Sequence, residues 1–221
     1  MLSVIASGLR AVHMDRKRNT LQFKVTLADV TPAVWRRIEV PASYSFWDLH
    51  VAVQDAMGWL DYHLHMFRVP NPTSGTIDEI GIPDEDGFED DPVCLAGWEV
   101  PVVEYFAAGG TCGMYEYDFG DGWVHEIELE AIGKRQSGRK YPRCLDGQRR
   151  CPPEDCGGPS GYAEFLATIA DPNHEEHAST LEWVGGSFDP EKFAPGQVRF
   201  DNPQERWQVA FGGDDDPRPA G

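Results

Sequence analysis

Residues 115–129 read YEYDFGDGWVHEIEL, and the alternation within them decides how the chain folds. Tyr115, Tyr117 and Phe119 share one face of a strand. Gly120, Asp121 and Gly122 then offer the positive-φ backbone that a tight hairpin turn needs. Trp123, His125, Ile127 and Leu129 follow on an inward face, opposed by Glu126, Glu128 and Glu130. A period of two with one apolar and one acidic face predicts paired antiparallel strands packed on one side only.

Working outward, the same period recurs twice upstream. Leu21, Phe23, Val25 and Leu27 alternate with Gln22, Lys24 and Thr26; after the break at Thr31-Pro32, Val34, Arg36, Ile38 and Val40 alternate with Trp35, Arg37 and Glu39. Ser45 and Asp48 form a capping-box spacing, and Phe46, Leu49, Val53, Ala56, Met57 and Leu60 recur at helical intervals up to a stop at Gly58. Tyr62 to Val69 alternates again, with His63, His65, Phe67 and Val69 on one face. Residues 71–91 are rich in Pro, Gly and acid and read as an exposed loop.

Beyond the cysteine-containing stretch the period switches to 3.6. Tyr162, Phe165, Leu166 and Ile169 predict a helix ended by Asp171-Pro172. A second helix runs from about Glu175 to Val184, and Phe188-Asp189-Pro190 starts a further short turn. The predicted architecture is α+β: a single domain with a mixed or antiparallel sheet, a packed N-terminal helix and a C-terminal helical segment. Its expected boundaries are a poorly ordered leader over 1–19, one domain over 20–211 and a disordered acidic tail over 212–221.

Thirty-seven acidic against nineteen basic residues give a formal charge of −18. That excess repels a phosphate backbone, so nucleic acid is a disfavoured partner; a protein partner or a small ligand fits better. Five cysteines cannot all pair within one chain, and three of them fall within thirteen residues, closer to a ligand cluster than to a disulfide framework. With no secretory leader and no apolar run of membrane-spanning length, the expectation is a cytoplasmic protein.

Cys144, Cys151 and Cys156 are the leading candidates for a metal. A proline- and glycine-rich loop can bring thiolates to one tetrahedral ion, with Zn2+ the expected cofactor. The alternative is reduced loop thiols with no joint role. Parity turns His125 inward, making it either the fourth ligand or a buried imidazole bonded to a carbonyl or to Asp118. Asp118 and Asp121 flank the hairpin turn; with His125 they could activate a metal-bound water, or simply bond their own backbone. His63 and His65, joined by His50 from the helix, could form a second, nitrogen-rich site. Trp35, Trp47, Trp59 and Trp98 could line a groove or fill the core. The carboxylates of 84–91 lack the glycine position of a calcium-binding EF-hand loop and read as a solvated loop.

Several of these motifs occur together in one order: WRRIEV from Trp35, FWDLH from Phe46, AMGWLDYHLH from Ala56, YEYDFGDGW from Tyr115 and CPPEDCGG from Cys151. In them the chain resembles the plasmid pRiA4b ORF-3-like family, over roughly Leu21 to Phe193. The resemblance implies a compact α+β domain of bacteria and archaea, often carried on plasmids or beside insertion sequences. It brings no agreed catalytic residues. Met66 follows His65 where many relatives carry an acidic residue, which weakens an acid–base role for that strand.

Three functions remain open at this stage. The first is a metal-stabilised binding or scaffold module serving a mobile element, leaning away from an enzyme. The second is a metal-dependent hydrolase or nuclease built on Asp118, Asp121 and His125, with His63 or His65 as a further contributor. The third, suggested by the resolvase label of some relatives, is a DNA recombinase. It lacks a serine set among arginines, since Ser3, Ser7, Ser43 and Ser45 have no such company in sequence.

Overall fold

The computed structural model describes residues 15–84, 93–106 and 112–212. Their strands form one eight-stranded sheet, in the order β5-β4-β3-β6-β7-β1-β2-β8. Its centre is the predicted hairpin of β6 (Cys112–Tyr117) and β7 (Trp123–Lys134), with Tyr115 opposite His125 and Tyr117 opposite Trp123. On one side β7 pairs with β1 (Asn19–Leu27), which pairs in turn with β2 (Trp35–Pro41) and through it with β8 (Arg143–Gln148). On the other side β6 pairs with β3 (His65–Pro70), followed by β4 (Ile77–Gly81) and β5 (Cys94–Ala96). Only β4–β5 is parallel, so the sheet is mixed and the fold α+β.

One sheet face is apolar and the other charged. Leu21, Phe23, Val25, Ile38, Val40, Phe67, Tyr115, Tyr117, Trp123 and Ile127 are buried on the inner face. On the outer face Arg37 pairs with Glu130 at 2.6 Å, while Arg68 bridges Glu79 and Glu116. Helix α1 (Phe46–Met57) lies on the inner face. Ser45 and Asp48 close the predicted capping box, and Gly58 ends the helix at φ 90°, in the left-handed region open to glycine. Almost all of α1 is buried because α5 (Pro203–Phe211) covers its outer side, packing Trp207 onto Trp47 and Val51. Between them run a short α2 (Val102–Tyr105), α3 (Gly158–Ala170) and α4 (His177–Trp183).

Four expectations are corrected here. The stretch 71–91 contains β4, and the cysteine segment contains β8. In the hairpin turn the positive-φ residues are Asp118 (φ 55°) and Gly122 (φ 67°), and Gly120 is not among them. A whole helix, α5, follows the expected short turn after Phe188. Of the leader, residues 15–19 are described, with Arg16 paired to Glu104 at 2.8 Å and Asn19 opening β1. The rest of the leader, the acidic tail from 213 and the carboxylates of 85–91 lie outside the described residues. Among the described residues no helix is long and apolar enough to cross a membrane.

Candidate metal centre

The sheet register builds the site. Because β6 pairs with β3, with His65 opposite Tyr117, the residue leaving β6 passes beside the residues entering β3. Asp118 accordingly donates its backbone N–H to Leu64 O at 3.0 Å, and its side chain lies next to His63. Asp118 Oδ1 accepts the N–H groups of Gly120 (3.0 Å) and Asp121 (3.3 Å), which is the turn chemistry expected of an aspartate here. That leaves Oδ2, which sits 3.6 Å from His63 Nε2.

The third member comes from the loop before α3. Asp155 places Oδ1 3.0 Å from the same His63 Nε2. The loop is held by Trp59 Nε1–H donating to Pro152 O (3.0 Å) and Leu60 N–H donating to Glu154 Oε1 (2.6 Å). Gly157 N–H donates to Asp121 Oδ2 at 3.0 Å, and Gly158 sits so close that a Cβ there would lie 2.2 Å from Asp121 O. Only glycine fits, so the turn and the loop are locked against each other.

His63, Asp118 and Asp155 thus bring their ligand atoms within 4.8 Å of one another. His63 Nε2 is screened from solvent yet makes no hydrogen bond, although it lies within ion-pair distance of both carboxylates. Both aspartates hold left-handed backbone, φ 55° and 54°, a conformation that costs energy and concentrates at functional positions. One imidazole and two carboxylates form a hard N/O set suited to a divalent cation, with coordination positions left for water or substrate. Glu154 stands alongside, bonded to Tyr117 OH at 3.2 Å, and burial raises its carboxyl above the ordinary range. A cleft of about 540 Å³ opens beside it, lined by Met57, Leu60, Asp155, Trp183 and Phe188.

A second cluster lies deeper. His50 Nδ1 meets Tyr115 OH at 2.8 Å, and His50 Nε2 meets Asp61 Oδ1 at 2.8 Å. Gln54 Nε2 donates to Tyr115 OH at 2.8 Å, so the phenol's own proton goes to His50 Nδ1 and the Nε2–H goes to Asp61. The His65 ring stacks on His50 at 3.5 Å and 7° between planes. Burial, reinforced by His50, holds His65 well below the ordinary imidazole range, so it is neutral. His50, Asp61 and His65 also lie within ligand distance of one another.

The residues expected to bind zinc are not gathered in this way. Among the described residues Cys144, Cys151, Cys156 and His125 form no group with three ligand atoms within 4.8 Å. Cys144 belongs to β8 and turns its Sγ to Asp146 O at 3.4 Å, while Cys151 is buried in the apolar core. Burial pushes the Cys151 and Cys156 thiols up to about 12, so each is protonated. His125 is fully buried between Tyr115 and the edge of Trp59; Nδ1 is 3.3 Å from Tyr115 O, and burial lowers the ring to about 4. Asp118 therefore meets His63 and Asp155, whereas Asp121 braces the loop. Asp61 and Asp155 were not anticipated, although the repeat Asp61-x-His63-x-His65 is a legible sign of the former. Of the tryptophans, Trp47 and Trp59 are core residues and Trp98 packs on Trp207 at 4.4 Å.

Comparison with known proteins agrees with this fold. Residues 19–197 match the family described as Plasmid pRiA4b ORF-3-like protein. An uncharacterized protein, y4hQ, of Sinorhizobium fredii is 40% identical over 173 residues, covering 76% of this chain and 82% of that one. A crystal structure of a protein of unknown function, MM3350, from Methanosarcina mazei Go1 is similar at a TM-score of 0.76 and 42% identity, covering 83% of this chain and 99% of that one. The chain belongs to the plasmid pRiA4b ORF-3-like family.

Proposed function

We propose that this chain is a metal-binding module whose divalent ion is held by His63, Asp118 and Asp155 at the mouth of a cleft, and not by the three thiols. The observation that carries this reading is His63 Nε2, screened from water, unbonded, and flanked by two carboxylate oxygens at 3.0 and 3.6 Å. A bound cation would satisfy that nitrogen and relieve the repulsion between the two carboxylates at once. The plasmid in the family's description supports a mobile element or its host as the setting, and the charge of −18 argues for a protein or small-molecule partner over DNA.

The test is calorimetric titration of Mn2+ and Zn2+ into chelator-stripped protein lacking a histidine tag. One equivalent should bind to the wild type, with at least tenfold weaker binding in His63→Ala and Asp155→Asn. Equal affinity in all three proteins would sink the reading.

A second reading, a metal-dependent hydrolase, is favoured by Glu154. Its carboxyl, raised by burial and next in sequence to Asp155, would serve as the general base if a cation held by His63, Asp118 and Asp155 activated a water there. Hydrolysis of an activated phosphodiester with Mn2+ that is lost in Glu154→Gln, while ion binding persists, would support it. Metal-loaded protein without turnover on phosphodiester, phosphomonoester and ester probes would remove it.

A further inference from the structure

The far side of the Met57–Leu60 segment carries the opposite charge. Arg36, on the inward face of β2, is only 1% exposed. Its Nε donates to Ala56 O (2.8 Å), its Nη1 donates to Trp35 O (2.8 Å) and Gln148 O (3.0 Å), and the guanidinium lies on the Phe193 ring at 3.8 Å. All of these partners are neutral. Among the described residues no carboxylate approaches Arg36 within ion-pair distance, and its Nη2 makes no hydrogen bond. A buried cation without a counter-anion is costly, and an anionic ligand would offset that cost.

Arg36 lines a cavity of about 560 Å³ together with Trp59, Arg150, Lys192 and Arg199. The last three also have no carboxylate partner among the described residues. The two aspartates at this cavity, Asp55 and Asp201, are turned to Arg206, at 3.8 and 3.0 Å. Four cations lining this cavity therefore have no carboxylate partner among the described residues, in a protein whose net charge is −18. Such a lining focuses positive potential inside the cavity, while the protein's net negative charge repels a polyanion. At physiological salt, repulsion fades over ~8 Å, so a compact anion can enter where an extended nucleic acid is turned away. The volume lies within the ordinary range of small-molecule sites.

We propose that this cavity binds a small phosphate-bearing molecule, with Arg36, Lys192 and Arg199 meeting the phosphate and Met57 and Trp59 walling its organic part. A phosphate monoester offers three outward oxygens and a double charge, which suits several cations arriving from different elements better than one carboxylate does. The site shares the Met57–Leu60 wall with the metal centre but needs no metal.

The test uses chelator-treated full-length protein, so that its result is separate from that of the metal titration. Inorganic phosphate and glucose 6-phosphate are titrated by calorimetry and melting temperature, beside glucose and citrate. Both phosphates should bind and raise the melting temperature, and glucose should do neither. The double variant Lys192→Ala/Arg199→Ala, which alters only exposed side chains, should keep the fold and lose at least tenfold in affinity. Arg36→Met should lose binding as well; if it does not fold, the double variant alone decides. No heat and no melting shift at millimolar phosphate, unchanged affinity in the double variant, or citrate binding as tightly as phosphate would each overturn the proposal.

Discussion

Two histidine–aspartate clusters stand at the start of β3, and they use their lone pairs in opposite ways. In the inner one, His50 is bonded through both ring nitrogens, to Tyr115 OH and Asp61, and His65 is stacked on it in the core. In the outer one, His63 Nε2 is unbonded and faces two carboxylates, one of them on a largely exposed residue. Distance alone would nominate both as metal sites. What separates them is remaining valence and access. In the inner cluster both His50 nitrogens and the Tyr115 hydroxyl are engaged across the helix–sheet contact; in the outer one an unbonded imidazole nitrogen lies beside a cleft.

The largest expected effect comes from breaking the inner network. His50→Ala strands Tyr115 OH and Asp61 in or near the core and should cost ~3 kcal/mol in urea unfolding, whereas His63→Ala should stay within ~0.5 kcal/mol. Equal losses in the two variants would erase the distinction.

Protonation gives the next effect. His125 has a folded value of about 4 against 6.5 for a free imidazole, and His65 is shifted in the same direction. Between those values the unfolded chain binds more protons, so stability is complete above 6.5 and is lost as the pH falls towards 4. The His125 part amounts to ~3 kcal/mol. Urea midpoints from pH 8 to pH 4 should fall steeply in the wild type and less steeply in His125→Leu; parallel curves would contradict the assignment.

Ion binding tests the outer cluster. At a hundredfold excess over its dissociation constant, a divalent cation should raise stability by ~2.7 kcal/mol. The gain should vanish in Asp118→Asn and persist in His65→Gln, and the reverse pattern would move the metal to the inner cluster.

The thiols supply the smallest difference. Cys151→Ser should cost ~1 kcal/mol by putting a hydroxyl in an apolar site, and Cys144→Ser less than ~0.5 kcal/mol. A collapse of all three single Cys→Ser variants, Cys156 included, would restore a joint sulfur site.

The sequence made the centre of the molecule legible and its margins much less so. The β6–β7 hairpin, β1, β2 and α1 were readable because each is half buried, and burial imposes a period. β4 and β8 are not: IDEIG and RCLDGQ sit at or near sheet edges, where partial exposure relaxes the alternation. α5 buries Trp207 alone, too little to show as a stripe. In the candidate site the structure groups Asp118 with His63 and Asp155, not with His125. Sequence grouped Asp118 first with His125 along its own hairpin and gave His63 or His65 only a supporting place; the register sends Asp118 across the other ladder, to His63. Strand parity says which way a residue faces and is silent about which neighbouring strand supplies its partner. Arg36 shows the same limit: alternation put it among inward residues, but only the assembled structure shows it bonded to backbone carbonyls, with no carboxylate partner among the described residues.

Helix α5 ties the last described secondary-structure element to the helix–sheet layer formed by α1. Trp207 packs edge-on against Trp47 at 5.4 Å, Trp47 Nε1–H donates to Pro203 O at 3.0 Å, and Arg206 faces the Asp61 carboxylate that also holds His50. The surroundings of the His50–Asp61 pair are therefore complete only when residues 203–211 are in place. Amides of α1 should gain exchange protection late on a stalled nascent chain, only after that final stretch emerges.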